Sequence, residues 1–146
     1  MVDGYLGTMT TEERMLLHLY DNPLPEGHWE APIAITQAGI SAAVHVQRKH
    51  VPRTLKRLES REDLVTAQRH IPGARQRRRV YGLTPSGKLR AGELRDRILS
   101  LVVFKNDAKI KLGQLRGGGQ LTLELLSHLD EGLVFHSQPV ISPISN

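Results

Sequence analysis

Residues 35–58, ITQAGISAAVHVQRKHVPRTLKRL, decide the fold that this chain is expected to adopt. Their apolar residues recur at helical spacing, stop at His45 and Val46, and then resume at helical spacing. The pattern predicts two short helices joined by a tight turn. We expect the Thr36 hydroxyl to cap the first helix by accepting from a free backbone amide, and Gln47 to open the second helix.

The second of these helices has a polar face made almost wholly of cationic and hydrogen-bonding side chains. Its apolar residues are only Val51, Leu55 and Leu58. The polar face comprises Gln47, Arg48, Lys49, His50, Arg53, Thr54, Lys56 and Arg57. Such a face is suited to phosphates and base edges. The alternative is an ordinary amphipathic helix whose polar side is simply solvated.

Charge is unevenly distributed along the 146 residues, which have a net charge of +5. Residues 45–97 contain 15 of the 20 Lys and Arg residues but only 5 of the 15 Asp and Glu residues. That segment therefore carries +10 and the remainder −5. This segregation favours one cationic surface that faces a polyanion.

Several classes of function lack support in the sequence. There are no cysteines, so disulfides and thiolate chemistry are excluded. The histidines lack the spacing of a metal site, no phosphate-loop motif is present, and the carboxylates are scattered. Apolar runs are much shorter than the ~20 residues that cross a bilayer, and no signal peptide is recognised. We therefore expect a cytoplasmic protein that is not an enzyme and has no metal or cofactor.

The segment before residue 35 is expected to hold one helix and one short extended piece. Thr10 and Glu13 have the spacing of a capping box, which predicts a helix to about Tyr20. Residues 29–33 are expected to be extended at a sheet edge because of Pro32. Trp29, the only tryptophan, is more often a packing anchor than a binding platform in such a place.

A β-hairpin is predicted after the basic helix, because the apolar pattern changes there from helical to alternating. Residues 64–71 and 77–83 are the expected strands, with a turn at residues 72–74. The hairpin is strongly cationic, with Arg69, Arg75, Arg77, Arg78 and Arg79. An edge hairpin kept soluble by charge is the alternative. Because every charge is positive, we favour contact with phosphates.

The remainder of the chain is expected to contain a longer helix and several small elements. Thr84 and Pro85 predict a helix start, and Leu94, Ile98 and Leu101 form an apolar stripe that could pack on the same subunit or on a second copy. Residues 102–112 suggest a second hairpin, residues 117–119 a flexible linker, and residues 121–129 a short helix. The last residues, from His136, are expected to be irregular.

The order of these elements, and two blocks of sequence, resemble winged helix-turn-helix regulators. The first block has I-T-Q, an Ile three positions later, V-x-V at the turn and V-x-x-x-L-x-x-L in the second helix. The second block, YGLTPSGK at residues 81–88, is similar to the junction between the wing and the next helix in MarR-like and PadR-like regulators. Similar domains also head longer archaeal regulatory chains.

The resemblance implies a mainly α fold with a small β-hairpin wing, an α+β winged helix-turn-helix, over residues 1–101. Residues 102–146 would be a C-terminal dimerisation or regulatory extension. The implied function is sequence-specific regulation of transcription by a homodimer on double-stranded DNA. Thr36 and Gln37, at the start of the first helix, would lie near the DNA backbone, together with Lys56 and Arg57. The operator and any small-molecule effector are not indicated.

Two residues depart from the family pattern. His45 stands where the family often has a turn glycine, so the backbone must adopt a less favourable conformation or a different turn. Pro52 removes an amide donor near the start of the basic helix, so that helix is expected to begin late or to bend. The two alternatives to a DNA-binding regulator are a protein-interaction module and an RNA-binding protein. The scarcity of aromatic residues disfavours RNA.

Overall fold

A computed structural model describes residues 9–105, 108–112 and 134–135. The helices are α1 (Thr11–Asp21), α2 (Gln37–Val44), α3 (Val51–Ser60) and α4 (Pro85–Leu99), and the first hairpin is formed by β1 (Leu64–His70) and β2 (Arg77–Leu83). A second sheet has the strand order β4 (Ala108–Lys111), β3 (Val102–Lys105), β5 (Val134–Phe135). The combination of helices with a small antiparallel hairpin confirms the α+β class.

Helix α1 begins at the predicted capping box. The Glu13 amide donates to the Thr10 hydroxyl over 3.1 Å, and the Thr10 amide donates to the Glu13 carboxylate over 2.9 Å. These bonds satisfy two amides that the first helical turn leaves free. The apolar face of α1, including Met15, Leu17 and Leu19, is buried in the core.

The turn between α2 and α3 confirms the less favourable backbone conformation expected at His45. This residue is left-handed, with φ 58° and ψ 49°, and it ends α2. A residue with a Cβ atom pays for this conformation by roughly 1–2 kcal/mol, which is why glycine is common at such positions. The Ser41 hydroxyl donates to the Val46 carbonyl and ties the turn back onto α2.

Helix α3 begins late, as Pro52 predicted. A single 3₁₀ turn, Arg48–His50, precedes the first α-helical residue, Val51, and Pro52 stands in the first turn. A proline there loses nothing, because the amides of the first turn have no partner within the helix. The basic segment therefore consists of an irregular start followed by ten α-helical residues.

The β1–β2 hairpin has the two predicted strands, with the first ending one residue earlier than expected. Leu64 pairs with Leu83 at its base and His70 with Arg77 near its tip. Gly73, with φ 89°, lies in the turn, where only glycine adopts such a conformation easily. The expected extended piece before α2 is present as a single parallel bridge between Glu30 and His70, followed by a 3₁₀ turn, Ile33–Ile35.

The start of α4 is fixed by contacts that explain the TPSG sequence. Thr84 caps the helix by accepting from the Gly87 amide over 3.1 Å. A Cβ atom at Gly87 would lie 2.2 Å from the Asp63 carbonyl oxygen, so only glycine fits. The buried Asp63 carboxylate pairs with Arg90 and accepts from the Ser86 hydroxyl over 3.1 Å. This cluster joins the α3–β1 turn to α4.

The apolar stripe that begins on α4 packs into the core of the same chain. Leu94, Ile98 and Leu101 are at most 3% exposed, so the chain itself covers the stripe and it is not available to a second copy. Leu112 belongs to the same core, and its amide donates to the Leu101 carbonyl over 2.7 Å. The predicted second hairpin is present as β3 and β4. The expected linker at residues 117–119, the helix at 121–129 and the tail from residue 136 lie outside the described residues.

None of the helices in the described ranges has the length and apolar character needed to cross a membrane.

Candidate nucleic-acid interface

The exposed side of α3 and of the turn before it is the most concentrated cationic surface on the helices. Val51, Leu55 and Leu58 are buried and fix which side of α3 faces the core. The residues that the sequence assigned to the opposite side and that are exposed are Gln47, Arg48, Lys49, His50, Arg53, Lys56 and Arg57. The groups needed to contact phosphates or base edges therefore lie on one continuous segment.

Two of the residues assigned to the interface are buried, and this is a correction to the sequence analysis. Thr54 is 4% exposed because it follows Val51 by three residues and so shares the buried stripe. Thr36 is also 4% exposed. Its hydroxyl donates to the Ile33 carbonyl over 2.7 Å and accepts from the Gly39 amide over 3.2 Å, which confirms its capping role. Both residues are therefore largely inaccessible from solvent.

Gln37 connects the start of α2 to the hairpin. Its side-chain amide donates to the Tyr81 hydroxyl over 3.0 Å, and the residue is half-buried. Tyr81 itself is 4% exposed. The bond from Gln37 therefore links β2 to the start of α2. Because Gln37 is half-buried, only part of its side chain is accessible to a ligand.

Arg57 lies at the edge of the cationic surface, beside an acidic residue of α1. Its Nε atom is 4.0 Å from the Glu12 carboxylate, which also pairs with Arg61. An open groove of about 420 Å³ separates α1 from α3 at this point. Its walls are Thr10, Thr11, Glu12, His50, Arg53, Thr54 and Arg57. Glu12 partly offsets the positive charge of Arg57 at this end of α3.

The hairpin arginines are divided between two faces. Successive residues of a strand point to opposite sides, and paired residues share a side. Arg77 and Arg79 are therefore on the side of Tyr81, which contacts Gln37 at the start of α2. Arg78 is on the other side. All three are exposed, as is Arg75 in the turn.

Arg69 belongs to the opposite side of the hairpin from Arg77 and Arg79. It pairs with Arg78, and its guanidinium donates to the Pro25 carbonyl over 2.8 Å. That bond fastens the proline-containing loop after α1 to β1. The Arg69 side chain therefore has a structural role, because its guanidinium holds this loop in place.

Within the described ranges, the other cations assigned to the interface form no ion pair with a carboxylate. Within the part of the chain that the structure describes, ion pairs are formed by Arg57, Arg61, Arg90 and Arg95. Among the described residues, the arginines that form no ion pair with a carboxylate include Arg48 and Arg53 beside or on α3, and Arg75, Arg77, Arg78 and Arg79 on the hairpin. Unpaired cations create a positive potential that attracts anions.

Trp29 is placed differently from the packing anchor that we expected. It is 65% exposed, and its ring stacks on His70 with centroids 4.8 Å apart and an angle of 22° between the planes. The expectation failed because the bridge between Glu30 and His70 holds this segment along the edge of β1, outside the core. The polar neighbours His28 and Glu30 were the signal in the sequence that favoured exposure.

One histidine lies in the core beneath this surface. His18 of α1 is 7% exposed, and its Nε2 atom is 2.8 Å from the Ala34 carbonyl oxygen just before α2. Burial lowers the pKa of His18 below its usual value, although the contact with Ala34 and the charge of Asp21 act in the opposite direction. The neutral ring is therefore the form that packs between α1 and α2.

No cluster of three or more His, Cys, Asp or Glu side chains suited to a metal ion occurs in residues 9–105, 108–112 and 134–135.

Comparisons with models of protein families, with curated proteins and with solved structures found no match to this chain.

Proposed function

We propose that this chain is a winged helix-turn-helix transcription regulator that binds double-stranded DNA at specific sequences. The observation that carries the proposal is a set of exposed cations on α3 and the turn before it, and on the hairpin, most of which form no ion pair with a carboxylate among the described residues. A duplex presents a regular row of phosphates, and neutralising them releases counterions, which is the main source of affinity for such surfaces.

In this proposal, α3 lies in the major groove. Arg48, Lys49 and Arg53 are exposed at its beginning and in its first turns, where recognition helices make their base contacts. Gln47 and His50 would add hydrogen bonds to base edges or phosphates, and Lys56 and Arg57 would lie near the backbone. Thr36 and Thr54 have no direct part, because both are buried.

The β1–β2 hairpin acts as the wing in this proposal. Arg77 and Arg79 share a side of the hairpin with Tyr81, which is bonded to Gln37 at the start of α2. They would contact phosphates or enter the adjacent minor groove. Arg75 is in the turn and would reach the same backbone further along the duplex. Arg78 lies on the other side, and Arg69 is bonded to Pro25.

The proposal includes a homodimer in the cytoplasm, since two copies related by a two-fold axis would read a pseudo-palindromic site. Because Leu94, Ile98 and Leu101 are buried within the chain, the dimer contact must use other groups. No effector is assigned.

Selection from a pool of random duplexes tests the proposal. The expected result is enrichment of one motif with related half-sites, because α3 presents hydrogen-bonding groups that differ in their fit to each base pair. If the protein binds the pool but the sequences remain random after repeated rounds, the binding is non-specific, and the proposed sequence specificity is wrong. Absence of duplex binding even at low salt would favour the protein-interaction alternative.

A further inference from the structure

Trp29 and His70 form an exposed aromatic stack at the edge of the hairpin. The His70 amide donates to the Trp29 carbonyl over 2.9 Å, and the Ala31 amide donates to the His70 carbonyl over 3.0 Å. These bonds fix the backbone on which the indole stands. His70 covers one face of the indole, and Trp29 remains 65% exposed. A large aromatic surface is therefore held in place and presented to solvent.

The stack adjoins the cations of the proposed wing. His70 pairs with Arg77 in the hairpin, and Arg79 lies two residues further along the same face. Both arginines are exposed and form no ion pair within the described residues. Glu30, next to Trp29, is the acidic residue nearest in sequence, and it is outnumbered by the arginines. A π-surface beside free guanidinium groups is the combination that binds a base together with its phosphates.

We propose that the Trp29–His70 stack binds an unpaired nucleobase, so that the protein prefers DNA in which a duplex adjoins an unpaired nucleotide. This inference rests on the proposed DNA-binding function and adds a substrate preference to it. In an intact duplex the faces of each base are covered by its neighbours, so an indole has no base face to contact. A bulged, flipped or terminal base exposes its face, and every base has one, so the contact does not depend on sequence.

The single tryptophan makes the contact directly measurable, because all indole emission comes from Trp29. Three probes are titrated: a duplex of about 20 base pairs, the same duplex with one unpaired thymidine near its centre, and inorganic polyphosphate. Binding is followed separately by the anisotropy of a dye on each DNA. The bulged duplex is expected to quench the emission strongly and to bind roughly tenfold more tightly than the perfect duplex. Polyphosphate is expected to bind without comparable quenching.

Two variants and a control identify the aromatic contact. Trp29→Ala should remove the preference for the bulged duplex and keep the affinity for the perfect one, while Trp29→Phe should retain part of the preference. Ile33→Ala removes another exposed apolar side chain, at 62% exposure, close to Trp29 in sequence. It should leave the preference intact.

The outcomes separate this inference from the function on which it rests. Equal affinities for the two duplexes, with unchanged emission, would overturn the stacking site and leave DNA binding in place. If Trp29→Ala still prefers the bulged duplex, other residues bind the unpaired base, and the stacking site is again overturned. If neither duplex binds, the proposed function fails and the inference fails with it.

Discussion

Arg53 is the exposed cation on the first turn of α3, and it has no acidic partner among the described residues. If it makes a bidentate contact with a base, Arg53→Ala should lose about 1–3 kcal/mol of binding free energy on the selected site. The loss on random duplexes should be smaller. Anisotropy titrations on both DNAs at the same salt concentration measure the difference.

A matched control for this variant is Arg97→Ala on α4. Arg97 is also exposed, and its replacement by alanine changes the net charge by the same amount. It lies on α4, which is outside the proposed interface. The control variant should bind both DNAs only slightly more weakly than the wild type, by the same factor for each. An equal loss on both DNAs in Arg53→Ala would instead assign Arg53 to a phosphate.

His18 should make the stability of the fold depend on pH. Because its folded pKa is below the value of 6.5 that it has when solvated, the unfolded chain binds more protons between the two values. Its contribution is therefore fully present above about pH 6.5 and is lost as the pH falls toward the folded pKa. Urea unfolding at about pH 7.5 and at about pH 5 measures this effect. The free energy of unfolding should fall less between these two pH values for His18→Gln than for the wild type. The same decrease in both proteins would assign the effect to other groups.

At the scale of the element, Gly39 determines how closely α2 approaches the preceding 3₁₀ turn. A Cβ atom there would lie 2.1 Å from the Ile33 carbonyl oxygen and 2.6 Å from the Ala34 Cα, and both of these are backbone atoms. Gly39→Ala should therefore destabilise the protein by about 1–3 kcal/mol, despite the better helix propensity of alanine. Thermal or urea unfolding measures this change.

Gly92 in α4 supplies the comparison. The atoms nearest to a Cβ atom there would belong to the Tyr20 side chain, at 3.5 Å or more, which is ordinary contact. Gly92→Ala should stabilise the protein by about 0.5–1 kcal/mol, because alanine loses less backbone entropy in a helix. If Gly39→Ala stabilises the protein as Gly92→Ala is expected to, the close approach at Gly39 is not what requires glycine there.

The hairpin arginines should differ according to the face that each occupies. Changing Arg77 and Arg79 together to Gln removes two cations from the side of the Tyr81–Gln37 contact. The slope of log affinity against log salt should then flatten by roughly two units, since each phosphate contact contributes about 0.9. Base preference should hardly change. Arg78→Gln, on the other face, should leave the slope nearly unaltered, whereas flattening by Arg78→Gln alone would reverse the proposed orientation of the hairpin.

Most elements were predictable from the sequence because their signals are local. The capping box at Thr10, the break at His45, the late start at Pro52 and the two strands of the hairpin all depend on residues close in the chain. Burial within an element was harder to predict. Thr54 is polar but shares the helical stripe of Val51, and only its packing showed that it faces inward.

Long-range contacts were the part that sequence reasoning missed. The exposure of Trp29 depends on its bridge to β1, about forty residues away in the chain, and the bond between Arg69 and Pro25 crosses a similar separation. The ion pair between the buried Asp63 and the exposed Arg90 was also not predicted, since neither residue has a periodic or motif signal. Such contacts depend on the tertiary arrangement and not on local preference.

At the scale of the whole molecule, the central claim is that segregated positive charge binds a duplex through its phosphates. The salt dependence of binding to a duplex tests this claim most directly. With four to six phosphates contacted by α3 and the hairpin, log affinity should fall with log salt with a slope of about −4 to −5. A slope shallower than about −1, or the absence of saturable binding at low salt, would contradict the account.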